Sequence, residues 1–237
     1  MDHQIRIRPL AVAALVCGLA ALPAAARAEG RLRIGLFPGS LVSLHGAYTG
    51  TASLRETVIP GAGLGLVLGY HIGPRLRLDA GYSYDWLFFK ADQRPSGYKD
   101  DKPALVLPRY TLGATIVLGP PGGVEPYLTF GGGIAPWRVS SRAFGGAYLA
   151  APADAESRFA KTSPALNGGL GIEFGVWSRL SASVEAGYLV LFAKDAAKFG
   201  ASGFGHQGFL SLRCGLAFRL GSAGAADDEM DEEDEEL

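Results

Sequence analysis

The chain has little of what usually stabilises or equips an exported domain. Of 237 residues only Cys17 and Cys214 are cysteines, and four are histidines. Cys17 falls within residues 1–28, where Arg6 and Arg8 precede a 13-residue apolar run from Leu10 to Leu22 and the small-x-small site Ala26-Arg27-Ala28. That order is the pattern of a cleavable secretory signal, with signal cleavage marked by Ala26 and Ala28. Val16 stands where a lipoprotein signal needs a small residue, so a lipid anchor on Cys17 is not expected. Cleavage near Glu29 leaves Cys214 alone, which excludes an internal disulfide. The histidines show no metal-ligand spacing, so neither metal nor cofactor is expected.

Long apolar runs are also missing. Thirteen residues fall short of the roughly 20 a spanning helix needs, and no later segment holds 18 apolar residues free of charge. A membrane home made of helices is thereby excluded. A closed barrel remains, because it pairs every backbone group between strands and leaves no edge. Charged residues make up 19% and form no basic stripe interleaved with aromatics, so no nucleic-acid partner is expected.

What is abundant is glycine, 34 residues, and alternation. In GAGLGLVLGYHIGPRLRLDAGYSYDWLFF, residues 61–89, Leu64, Leu66, Leu68, Tyr70 and Ile72 share one face against small residues and His71. After the Gly73-Pro74 turn, Leu76, Leu78, Ala80, Tyr82, Tyr84, Trp86 and Phe88 oppose Arg77, Asp79, Gly81, Ser83 and Asp85. Period two means strands, and a continuous apolar face ending in aromatics fits a bilayer. The same pattern recurs near 31–39, 105–118, 124–138, 164–177, 179–193 and 206–220. Pro38 lacks a donor and suits a bulge or an end of the first strand. Eight strands are expected, joined alternately by long loops (44–60, 91–104, 139–163, 194–205) and short turns, an up-and-down antiparallel transmembrane β-barrel over residues 29–221.

The layout, together with GLGLVLGYHIGPRLRLDAGYSY, PYLTFGGGIA and LSASVEAGYLV, resembles the small eight-stranded outer-membrane barrels of Gram-negative bacteria, the OmpA- and OmpX-type superfamily, from about Arg31 to Leu220. The resemblance implies outer-membrane lipid and the barrel-assembly machinery as partners, with a final amphipathic strand as the assembly signal. Leu216, Phe218 and Leu220 look like that signal, although a tail follows them.

An eight-stranded barrel is just wide enough for side chains to fill it. Arg33, Arg77, Asp79, Asp85, Arg109, Glu125, Glu173, Glu185 and Arg213 fall on the inward face, and unpaired charges there are costly. An ion-paired interior is expected, with Glu173, Glu185, Arg213 and Arg33 at similar depth. Tyr82, Tyr84, Trp86 and Phe88 at one strand end, and Phe174 and Trp177 at another, suit interfacial girdles. Residues 222–237 form a tail whose stretch 227–236 holds nine acids, expected to be disordered or to attract divalent cations or a basic periplasmic partner. The expected role is non-enzymatic, structural or surface-interacting through extracellular loops. A small channel and a lipid-modifying enzyme are the alternatives. His45, His206 and loop serines are available for catalysis, but no spacing selects them.

Overall fold

The structure, a computed structural model, describes residues 32–49, 52–93, 101–119, 123–151, 154–201 and 203–220. The expected signal peptide with Ala26 and Ala28, and the acidic tail over 222–237, lie outside the described residues.

Eight long strands close on themselves: β1 (Leu32–His45), β2 (Gly61–His71), β3 (Leu76–Phe88), β4 (Ala104–Val117), β5 (Val124–Ser140), β6 (Ala160–Trp177), β7 (Leu180–Leu191) and β8 (Gln207–Leu220). Every neighbour is antiparallel and adjacent in sequence, and the seam pairs β1 with β8 from Leu32 opposite Leu220 to His45 opposite Gly208. Alternation dictates the closure. Along β6, Leu166, Leu170, Ile172, Phe174 and Val176 are exposed, while Glu173 between them is buried. That exposed row runs over eleven residues, the length a tilted strand needs to cross a bilayer's hydrocarbon core. Among the described residues no helix is long and apolar enough to cross a membrane.

Short links lie at one end of the barrel and long ones at the other. Three differences from the sequence pattern matter. First, β1 does not end at Pro38 but runs through it to His45, pairing with β2 down to Leu41 opposite Gly61. Pro38 costs little there, because it faces outward and its missing donor interrupts the ladder for one residue. Second, residues 139–163 are not featureless. β5 continues to Ser140, β6 begins at Ala160, and the short strands Ala150–Ala151 and Asp154–Arg158 pair between them. Third, two other loops carry single helical turns, α1 (Leu54–Thr57) and α2 (Ala196–Phe199).

Local chemistry explains both turns. Ser53 Oγ accepts from Glu56 N–H at 3.2 Å, and Glu56 returns a carboxylate to Ser53 N–H at 3.3 Å, a capping box that buries Leu54. Asp195 caps α2 by accepting from Lys198 N–H at 3.2 Å, and Gly200, at φ 79°, turns the chain away after Phe199 is buried.

The apolar core sits at the loop end. Beyond Asp85 and Arg109 the inward positions become large and apolar: Leu87, Leu105, Leu107, Trp137, Leu189 and Phe209 are all buried. Tyr48, Leu54, Phe89, Phe159, Phe199 and Phe204 descend on them from the loops. Trp137 stacks on Phe204 with ring centroids 4.2 Å apart, meets Phe159 edge-on at 5.6 Å and donates its indole N–H to Ser163 Oγ at 3.0 Å. Such ring pairs contribute about 0.5–1.5 kcal/mol each beyond area burial.

Candidate functional site

Below this plug the interior is polar and divides into two clusters. Near the short turns, Glu173 on β6 is the hub. It pairs with Arg33 on β1 at 2.9 Å, Arg77 on β3 at 3.4 Å and Arg219 on β8 at 3.6 Å, and accepts from Ser181 Oγ at 2.6 Å. Arg77 also meets Asp79 at 2.8 Å, and Thr115 donates to Asp79 at 2.5 Å. Arg219 reaches Glu125 at 3.8 Å. Higher up, Asp85 on β3 takes Arg109 of β4 at 2.7 Å and Arg213 of β8 at 3.1 Å, and accepts from Ser83 Oγ at 3.1 Å.

All of the inward set but Glu185 gathers around two carboxylates, Glu173 and Asp85. Glu185 and Arg213 are backbone partners across β7 and β8, yet Arg213 extends over the lumen to Asp85 instead. Glu185 receives the phenol of Tyr127 at 3.2 Å. The lumen is narrow enough for an arginine to span, so depth alone does not choose its partner. Arg219, on β8, belongs to the Glu173 cluster although it is absent from the inward charges expected from the sequence. Glycines make the room: a Cβ on Gly171 would stand 2.3 Å from the Tyr127 ring, and one on Gly63 2.0 Å from Asp85 Oδ1. A cavity of about 90 Å³ touching Arg33, Arg77, Glu185 and Arg213 lies between the clusters, large and polar enough for a few waters.

The aromatics differ in exposure. Tyr82, Phe174 and Trp177 are open on the outer wall, whereas Tyr84, Trp86 and Phe88 are half-covered where Ala143 and Phe144 fold against them. Sequence reasoning missed the plug, whose signal was the inward change from small and charged residues to Leu87, Leu105, Leu107 and Trp137.

Outside the membrane-spanning stretch the surroundings shift the titration of two groups among the described residues. Burial pushes the Tyr48 phenol above its usual value. The Asp195 carboxyl is held below the usual range by the Lys161 ammonium that hydrogen-bonds it and by Lys198 N–H. His45 bonds the Tyr188 hydroxyl and His206 lies against Phe192; neither of these contacts is to a serine or a carboxylate. Among the described residues no three His, Cys, Asp or Glu side chains gather to hold a metal.

A family model described as outer membrane protein beta-barrel domain matches residues 11–210. Among solved structures, Neisserial surface protein A is 16% identical with a TM-score of 0.50, covering 80% of this chain and 97% of its own. The N-terminal barrel of Pseudomonas aeruginosa OprF is 14% identical with a TM-score of 0.40, over 80% and 98%. Ail of Yersinia pestis is 14% identical with a TM-score of 0.44, over 81% and 99%. Among curated proteins none matches the sequence. At 16% identity the Neisserial structure speaks for the fold alone, and the family model, spanning most of the sequence, for kinship: the chain belongs to the outer membrane protein β-barrel domain family and is an integral barrel of the bacterial outer membrane.

Proposed function

We propose that this barrel is a sealed, non-enzymatic scaffold whose work is done by the loop assembly it holds above the outer leaflet. In barrels of this kind the short turns face the periplasm and the long loops face outward. One observation carries the reading: the apolar plug around Trp137 is built jointly by strand ends and loops, so a single core both closes the lumen and fixes the loop backbones. A permanent conductor gains nothing from filling its mouth with Phe159, Phe199 and Phe204. A presenting surface gains rigidity, because loops that bury their own aromatics lose less entropy when a partner binds.

The test is single-channel current from the refolded chain in a planar bilayer, with folding checked by heat-modifiable gel mobility. Silence from folded protein is expected. Steady, salt-dependent conductance would overturn the sealed reading and bring forward the channel, with Asp85 and Arg213 as its selectivity elements.

A further inference from the structure

The third long loop places two arginines on one tyrosine outside the barrel. Val139, Leu149 and Phe159 join in a ring of backbone hydrogen bonds: Leu149 N–H to Val139 O at 3.0 Å, Phe159 N–H to Leu149 O at 2.6 Å, Val139 N–H to Phe159 O at 2.9 Å. All three side chains are buried in the plug. In extended chain the preceding residue points the opposite way. Arg138, Tyr148 and Arg158 therefore emerge side by side on the outer surface. The Arg158 guanidinium lies 4.9 Å from the Tyr148 ring centre and that of Arg138 5.7 Å.

Among the described residues neither arginine pairs with a carboxylate. Arg138 donates instead to the Tyr84 hydroxyl at 3.2 Å, which donates to Ala143 O at 2.8 Å. Two guanidiniums held on one ring repel each other, an arrangement completed by an anion with several acceptor oxygens. Height and surroundings select the kind of anion. The lipid-facing row of β5 is still exposed at Ile134, and Arg138 follows four residues later, just past the apolar band. Beside it Phe144, 64% exposed, stacks on Tyr84 at 5.4 Å and meets Trp86 edge-on at 5.0 Å. A basic pair directly above an apolar, aromatic shelf fits an amphiphile whose charge and chains are joined.

We propose that Arg138 and Arg158, set about Tyr148, bind the phosphate of a phosphorylated glycolipid of the outer leaflet, whose acyl chains lie along the wall below Phe144. Binding here does not depend on whether the lumen conducts.

The test compares phosphatidylcholine nanodiscs doped with lipid A carrying its phosphates or enzymatically stripped of them, using the full chain. About tenfold tighter binding of the phosphorylated lipid is expected, the scale of one or two charge-assisted hydrogen bonds. The Arg138→Gln/Arg158→Gln double variant should lose that preference, Arg138→Lys/Arg158→Lys should keep most of it, and Arg179→Gln at a short turn should leave it unchanged. Gel mobility confirms folding in each case. Equal binding of the two lipids, or a preference retained by the folded Gln double variant, overturns the site. Equally tight binding of free inorganic phosphate overturns the assignment to a lipid.

Discussion

Replacing Glu173 by Gln removes one negative charge from among three guanidiniums without changing side-chain size. The consequences for them differ. Arg77 keeps Asp79 at 2.8 Å and Arg219 keeps Glu125 at 3.8 Å. Arg33 is 2% exposed, Glu173 is the carboxylate it pairs with, and among the described residues its Nε and Nη1 have no hydrogen-bond acceptor. Breaking a buried pair from one side costs about 3–5 kcal/mol, because the remaining charge is left desolvated. The assay is urea unfolding of the barrel in lipid vesicles, followed by tryptophan fluorescence. A second substitution makes the reasoning specific: Arg33→Met in the Glu173→Gln background removes the orphaned cation and should restore about 2 kcal/mol or more, since an apolar group of similar volume replaces a buried ion pair at little cost. A loss below about 1 kcal/mol for Glu173→Gln, or further destabilisation by Arg33→Met in that background, would refute the account of Glu173 as the hub that neutralises Arg33.

Trp137→Ala, at the centre of the plug, should cost about 3–5 kcal/mol in the same assay and should open the loops to protease; a loss within experimental error would mean that loops and barrel do not share one core. Gly171→Ala sets a methyl where the Tyr127 ring lies and should cost about 1–3 kcal/mol, whereas Gly175→Ala, which meets nothing within 4 Å, should be nearly silent. For Asp195 the folded value lies below the unfolded one, so its contribution is present above the ordinary carboxylate value of about 3.9 and disappears as pH falls from there through the folded value. Amide exchange in the α2 loop should rise across that acid window in the parent chain and stay flat in Asp195→Asn; identical profiles would contradict the cap.

The eight strands were legible because each keeps one face for lipid and one for the lumen, as Leu170 and Glu173 show on β6. Alternation fades where that division ends. Ala104, Leu105, Val106 and Leu107 at the start of β4 are all buried, two against the plug and two beneath the folded-back loop at Ala143, so they read as apolar on both sides. The third long loop lost its period for a related reason: Val139, Leu149 and Phe159 join in a three-way backbone ring between short ladders. The inward charges could be listed from the sequence, but not matched. Partner choice depends on reach across a narrow lumen, and Arg213 passes over its backbone neighbour Glu185 for Asp85 on another wall.

The Glu173 hub also fixes an order of events in biogenesis. Its partners include Arg33 from the first strand and Arg219 from the last: the Arg219 pair links β6 to β8 on one side of the seam, and the Arg33 pair bridges the seam where β1 meets β8. The Arg33 pair has to wait until the open curl closes, because β1 waits for a partner nearly two hundred residues away. Until then the hub carboxylate has Arg219, two strands away, and Arg77, beyond the middle of the sheet, to balance it. The Arg33 pair is therefore a latch: it contributes nothing to early hairpins and engages with the final zipping of β8 onto β1, so that ring closure and neutralisation of the buried Arg33 occur as one step.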